Sequence, residues 1–341
     1  MSETSPATVA YLGPRGTFTE QAVLNLRDAG HLPEDVVHRT VDSPAAALDL
    51  VRSGEVDQAV VALESSVDGP VTQTFDSLAS GEPVQILREH DVPVVFSILV
   101  RPGTRIEDIT TFTTHPVAQA QVRGWVGEHL PDVTFVPAAS NGAAAQAVAE
   151  GKADVAAAPA RAGEIHGLVP LTMETVETDS ATTEATEVAD VAGARTRFVL
   201  VGRPQPPTPQ TGHDRTAIVL QVPNVPASLV MALMELATRR VDMSRIESRP
   251  TRERAGTYNF HVELVGHVED GAVAEALAGL HRYCEKIRFL GSWPQEGWVG
   301  GVSGPAGSVP PDYLESREWV RSLRRGQEGR PRQGGDAGRR Q

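Results

Sequence analysis

An α/β fold in two lobes, followed by a separate ferredoxin-like unit, is what this sequence of 341 residues predicts. Three observations carry the prediction. Short apolar runs alternate with helical patterns through residues 9–201, with polar residues in each intervening loop; this pattern implies a mostly parallel sheet in each lobe. Residues 202–214 are rich in proline and form a semi-rigid boundary. Beyond them, strand, helix, strand, strand, helix and strand follow within about 80 residues, the βαββαβ order of ferredoxin-like folds.

The first strand, residues 9–12, breaks at Gly13-Pro14-Arg15-Gly16 and leads through Thr17-Phe18-Thr19-Glu20 into a helix around 22–26. Two readings of this start stand: free N–H groups that welcome an anion, or a plain N-cap by Thr17 or Thr19 with Glu20 complementing the helix end. A helix over 43–51 has Ser43 as its cap and Pro44 in first position. The strand at 58–63 delivers Glu64 to Pro70 into a loop of the kind where α/β folds place ligand groups. Thr72, Thr74 and Asp76 open another helix, and the apolar runs 92–96 and 98–100 suit strands crossing at a lobe boundary.

The second lobe starts at Arg101. Its strand at 109–112 feeds Thr113-Thr114-His115-Pro116 and a helix holding Gln119, Gln121 and Arg123. A strand at 134–136, an alanine-rich helix from Ser140 to Ala149, a strand at 154–158 and a helix at 160–166 follow. Residues 174–190 are acidic and Thr-rich and read as an exposed loop. The run 199–201, closed by Gly202, reads as a buried strand returning to the first lobe. Thr196, Arg197 and Phe198 then stand at its edge, facing the cleft. In the C-terminal unit the predicted strands are 216–222, 243–248, 258–265 and 287–291, with helices at 227–239 and 271–283. A last helix over 312–325 carries a capping box, Asp312 with Glu315, and a thin stripe of Leu314, Trp319 and Leu323; the rest of the tail reads as disordered.

Composition, 40% hydrophobic and 22% charged, is that of a soluble globular protein. The lone Cys284 excludes an internal disulfide, gives no support to a thiolate metal site and fits a reducing compartment. Residues 1–9 lack the regions of a signal peptide and no apolar run reaches membrane-spanning length, so a cytoplasmic location and no membrane partner are expected. The net charge is −13, yet residues 311–341 carry eight Arg against five acids, which leaves −16 on the remainder. An acidic body argues against nucleic acid as the main partner.

Several motifs together resemble the prephenate dehydratase family over residues 9–294. Tyr-Leu-Gly-Pro-Arg-Gly-Thr-Phe-Thr at 11–19 is similar to the family's opening motif, and Glu64-Ser65-Ser66-Val67-Asp68-Gly69 to its Glu-Asn-Ser-x-Glu-Gly loop. Thr114-His115-Pro116 with Gln121 resembles its Ser-His-Pro helix, and Thr196-Arg197-Phe198 its diagnostic triplet. The C-terminal unit resembles an ACT domain, with Glu247-Ser248-Arg249-Pro250 as its phenylalanine-binding signature and Gly291-Ser292-Trp293-Pro294 as its close.

The resemblance implies a catalytic domain like a type II periplasmic-binding fold over 7–203, with a first lobe of about 7–97 and 190–203 and a second of about 98–189. A linker at 204–214, an ACT regulatory domain at 215–296 and a tail at 297–341 complete the expected division. It implies conversion of prephenate to phenylpyruvate in phenylalanine biosynthesis, without metal or cofactor, by a homodimer or homotetramer regulated by L-phenylalanine. Thr196 would assist the leaving hydroxyl. Arg197, or N–H groups near Thr17, would neutralise a carboxylate; Glu64, Ser65, Ser66, Thr114 and Gln121 would orient the substrate, and Phe198 would pack on its ring. His115 fits a structural turn better than an acid. Effector contacts would come from Asn224, Ala227, Ser228, Leu229, Glu247, Ser248, Arg249 and Pro250.

Three departures from the family pattern stand out. Ser65 replaces an Asn and loses its paired amide donor and acceptor; Gly193 replaces another Asn; and Ala227 replaces a Gly, where it would crowd the effector or exclude the needed backbone. They leave open a prephenate-like enzyme of secondary metabolism with another substrate or outcome, or a weakened amino-acid sensor. The intact triplet argues against a decarboxylase that keeps the hydroxyl.

Overall fold

The computed structural model describes residues 6–174, 182–296 and 312–327. The first lobe opens with β1 (Thr8–Leu12), α1 (Phe18–Asp28), β2 (Val37–Val41), α2 (Pro44–Ser53), β3 (Gln58–Ser65), β4 (Gly69–Pro70), α3 (Thr72–Ala79) and β5 (Gln85–Pro93). The second comprises β6 (Ser97–Val100), β7 (Thr111–Thr114), α4 (Pro116–Gln121), α5 (Arg123–His129), β8 (Thr134–Pro137), α6 (Asn141–Ala149), β9 (Val155–Ala158), α7 (Ala160–His166), β10 (Val169–Pro170) and the hairpin β11 (Thr172–Glu174) with β12 (Thr182–Glu184). The chain then re-enters the first lobe as β13 (Arg195–Gly202).

The first sheet runs β2-β1-β3-β13-β5 and the second β10-β6-β9-β7-β8. Neither is as parallel as the alternation predicts. β13 lies antiparallel between β3 and β5, and β6 lies antiparallel to β9. A parallel neighbour requires a helical crossover, and these strands are reached by direct passage between the lobes. Those passages run side by side: Val94 N–H donates to Ala194 O, and Phe96 pairs with Val188.

Other differences have local causes. Part of the expected exposed loop is ordered, since β12 pairs with β11 and Ala185 and Val188 are buried; residues 175–181 lie outside the described ones. The helix after Pro116 divides at Val122. β2, with the sequence Val-His-Arg-Thr-Val, has no apolar run to announce it and is a mostly exposed edge strand. α2 begins as expected, with Ser43 Oγ accepting from Ala46 N–H at 3.1 Å and Pro44 in first position.

The C-terminal unit contains β14 (Asp214–Gln221), α8 (Ser228–Ala237), β15 (Met243–Pro250), β16 (Tyr258–Val265), α9 (Gly271–Tyr283) and β17 (Lys286–Pro294). Its antiparallel sheet runs β15-β16-β14-β17, the ferredoxin-like order. One face holds α8 and α9 over Ile218, Leu220, Val262 and Leu264. The other is docked on the first lobe, where Ala217, Val219, Leu290 and Trp293 share a core with Leu63, Phe75, Leu78 and Ile86. Gly291, at φ 130°, is required there: a Cβ would stand 2.3 Å from the carbonyl oxygen of Ile86. α10 (Asp312–Arg324) forms as expected, with Trp319 and Leu323 exposed. The disorder expected elsewhere in the tail falls outside the described residues, as does the side chain of Asp312.

His261 is buried in this docked face, edge-on to Phe75 at 5.0 Å between ring centroids, and neither ring nitrogen has a hydrogen bond among the described residues. Burial first, then the charge of Arg245, pushes its pKa down from 6.5 to about 4. A depressed folded pKa means that the unfolded chain binds the extra proton. The stability carried by the neutral ring is therefore complete above pH 6.5 and is lost as pH falls through 4, by about 3 kcal/mol. Urea midpoints measured from pH 7 to 4 should fall steeply for the native chain and less for His261→Leu; equal slopes would refute this account.

Candidate active site

The end of β3 and the start of β13 form one wall of the cleft. Thr196 is the direct partner of Ser65 on one side and of Val92 on the other. Successive strand residues face opposite ways, and here the alternation divides the triplet. Phe198 and Leu200 pack into the core beneath α1, whereas Val199 and Val201 join the core facing the ferredoxin-like unit. Thr196 therefore lies on the α1 side, and Arg197 points away from it. Among the described residues, the Thr196 hydroxyl has no hydrogen-bond partner.

This corrects three expectations. The Arg197 guanidinium is bonded to Glu64, Glu89 and Glu263 instead of facing the cleft. Burial would lower its pKa, but those carboxylates outweigh burial and hold it well above its ordinary value. Glu64 turns to the same side because the β3–β13 register shifts between Arg197 and Phe198, leaving Leu63 without a register partner on β13. Phe198 is 2% exposed and is a core residue, out of reach of a ligand ring.

Ser65 stays at the cleft but is occupied: its Oγ accepts from the N–H groups of Val67 (3.2 Å) and Asp68 (3.1 Å) and donates to Asp68 Oδ2 at 3.2 Å. Ser66 Oγ accepts from Arg195 N–H at 3.0 Å, which ties the loop to the start of β13. From the second lobe, Gln121 Nε2 donates to Asp68 Oδ2 at 2.8 Å, and Gln121 Oε1 is buried with no hydrogen-bond partner among the described residues. The cleft is thus bridged by Asp68, a member of the 64–69 motif to which the sequence pattern assigns no role.

The other wall is built from helix starts. Thr17 Oγ1 accepts from Glu20 N–H at 3.2 Å, so the N-cap reading holds, while α1 still presents its first turn to the second lobe. Gly142, in the first turn of α6, lies so near that a Cβ would come 2.7 Å from Arg15 O and 3.5 Å from the Thr17 methyl. Thr114 is buried, with Oγ1 donating to Ala157 O at 2.7 Å and to Asn141 Oδ1 at 3.4 Å. Asn141, at the start of α6, escapes the sequence reading; its signal was the Ser-Asn-Gly that caps the helix. His115 behaves as the turn residue expected, its Nδ1 accepting from Val117 N–H at 3.3 Å, and burial pushes its pKa down.

The departures also have physical readings. Gly193 stands at φ 74°, and a Cβ there would meet no atom within 4 Å; Asn is among the residues that best tolerate this left-handed backbone, so conformation accounts for both residue types there. Ala227 adopts φ 67° as the residue preceding α8, and so keeps the backbone of a Gly at a cost of about 1 kcal/mol. Asn224 lies beside Gly256, in the turn that follows Pro250, which brings the two expected effector stretches to one end of the sheet. Ser228 is buried, Leu229 and Glu247 are half-buried, and Ser248 and Pro250 are exposed. Arg249 pairs bidentately with Asp76 of α3, at 2.9 and 3.1 Å.

Fold and cleft define the class: a two-lobed α/β protein of periplasmic-binding-protein-like architecture, with a polar cleft between the lobes and a ferredoxin-like unit docked behind its returning strand. The prephenate dehydratase family model matches residues 9–206. A prephenate dehydratase of Mycolicibacterium vanbaalenii is 49% identical over 332 residues, covering 95% of this chain and 99% of that protein. The crystal structure of a prephenate dehydratase from Arthrobacter aurescens in complex with L-Phe is 36% identical, with a TM-score of 0.80, over 94% of this chain and all of that one. A structure described as a novel type of quorum-quenching acylase is 29% identical, with a TM-score of 0.69, over 85% of this chain and 98% of its own. The chain belongs to the prephenate dehydratase family.

Proposed function

We propose that this chain converts prephenate to phenylpyruvate, with loss of water and carbon dioxide, in the cleft between the two lobes. The observation that carries the reading is Thr196, whose hydroxyl is left without a protein partner among the described residues, beside Ser65 at the cleft wall. The greater identity to the Mycolicibacterium and Arthrobacter dehydratases than to the acylase favours the same conclusion.

The substrate supplies the driving force. As the ring carboxylate leaves as carbon dioxide, its bonding pair enters the ring, the opposite C–O bond breaks, and the departing hydroxide takes a proton to become water. Thr196 donates a hydrogen bond to that oxygen; a Thr hydroxyl is too weak an acid for full prior transfer. With Arg197 engaged elsewhere, the facing first turns of α1 and α6 are the donors for the substrate carboxylates. Asp68 and Gln121 close the lobes, and Thr114, through Asn141, orders the α6 start. Phe18, half-buried and edge-on to Phe96 at 5.5 Å, is better placed than Phe198 to pack on the ring. Phenylpyruvate formation from prephenate above the enzyme-free rate tests the activity; none in folded protein would overturn it.

The same reading keeps the domain division 7–203, 204–214 and 215–296, L-phenylalanine as effector at Asn224 to Leu229 and Glu247 to Pro250, and a cytoplasmic setting. Among the described residues, no helix is long and apolar enough to cross a membrane. A homodimer or homotetramer is supported by β15, an edge strand, and by exposed Val230, Met231 and Met234 on α8 and Ile246 on β15. Met231→Glu should weaken association in sedimentation velocity; an unchanged oligomer would move the interface elsewhere.

A further inference from the structure

Arg197 is held from two sides. From the first lobe, Glu64 Oε2 accepts from its Nη2 at 3.1 Å and Glu89 Oε2 from its Nη1 at 3.3 Å. From β16, Glu263 accepts from both nitrogens, at 2.8 and 3.0 Å. Arg215 of β14 donates to Glu89 and Glu263, each at 3.3 Å, and Arg245 of β15 to Glu64 at 2.9 Å. The first lobe brings two acids and one base, and the ferredoxin-like unit two bases and one acid, so each half carries the charge that the other cancels. Glu89, Glu263, Arg197, Arg215 and Arg245 all have largely buried side chains. A buried charge network is satisfied only with good geometry, which makes this one intolerant of sliding between the two units. Two of its members, Glu64 and Arg197, are chain neighbours of Ser65 and Thr196, the pair that faces the cleft.

We propose that Glu263 is a positioning residue for the reaction at Thr196: by clamping Arg197 from the ferredoxin-like unit, it sets the placement of the start of β13 and transmits any shift of that unit to the hydroxyl that assists the leaving group. The proposal rests on the reading of Thr196 given above and names the route by which an effector on the ferredoxin-like unit reaches it.

The test compares Glu263→Gln, Glu263→Asp and Arg197→Lys with Arg288→Gln. Arg288 also joins the two units, donating to Ser80 O (3.2 Å) and Gly81 O (2.7 Å), but among the described residues its side chain makes no hydrogen bond to β13. Misplacement of a reacting group by an ångström costs up to about a hundredfold in rate. Turnover of prephenate by Glu263→Gln should therefore fall about tenfold or more in kcat with KM nearly constant. Glu263→Asp should fall less, and Arg197→Lys should add little to Glu263→Gln, because both act on one link. Arg288→Gln should lower the melting temperature and leave kcat within about twofold. The γ-methyl resonance of Thr196, followed in threonine-methyl-labelled protein, should move in Glu263→Gln and stay in Arg288→Gln, and it reads the link even where prephenate is not turned over. Unchanged kcat and an unchanged Thr196 resonance in folded Glu263 variants would overturn the proposal, as would an equal loss in Arg288→Gln. Absence of turnover by the native chain would instead count against the dehydratase reading.

Discussion

Thr196→Ala should lower kcat for prephenate by about a hundred- to a thousandfold while KM changes little. The expectation follows from where the hydroxyl stands. It has no partner among the described residues and lies at the cleft wall, so in the proposed reaction its hydrogen bond would form as charge develops on the departing oxygen. Interactions made only in the transition state appear in kcat, and loss of one preorganised donor typically costs this much. Thr196→Ser keeps the hydroxyl and should retain most of the rate. Steady-state assays with circular dichroism as a folding check decide the matter: a Thr196→Ala protein with native kcat would remove Thr196 from the chemistry, and a rise in KM alone would make it a binding residue.

Arg197→Met should destabilise the protein by about 3–5 kcal/mol, an effect a surface arginine would not produce. Glu89 and Glu263 are nearly inaccessible to water, and without the guanidinium their charges face each other across the docked interface with Arg215 as the remaining shared partner. Leaving buried charges without compensation costs far more than breaking an exposed pair. The loss should show as a lower urea midpoint that high salt does little to restore, since buried pairs are weakly screened. Native stability coupled to a raised KM would return Arg197 to the substrate, as the triplet motif alone suggests.

The contrast between those two neighbouring residues marks the limit of what a linear reading reaches. The motifs of residues 11–19, 64–69, 114–121 and 196–198 located the cleft because local chemistry is written locally: Ser43 and Thr17 cap helices, Gly13 to Gly16 breaks a strand, and apolar runs make buried strands. The order of elements likewise pointed to the ferredoxin-like unit, and Gly291 keeps its place in the closing motif for the backbone reason the docked sheet supplies.

What the triplet could not reveal was which face each side chain takes. The register shift beside Leu63 turns Glu64 away from the cleft, and the partner that fixes Arg197 comes from Glu263, 66 residues further along the chain. Nor did β2 or the 182–188 segment carry an apolar pattern, because their order comes from pairing with β1, β11 and Phe96. Most of the elements, their order and the family resemblance were legible in the linear chain, because they rest on short-range pattern and composition. That Arg197 turns away from Thr196 and joins a buried charge network emerged with the folded molecule alone, because strand register and domain docking depend on contacts between residues far apart in the chain.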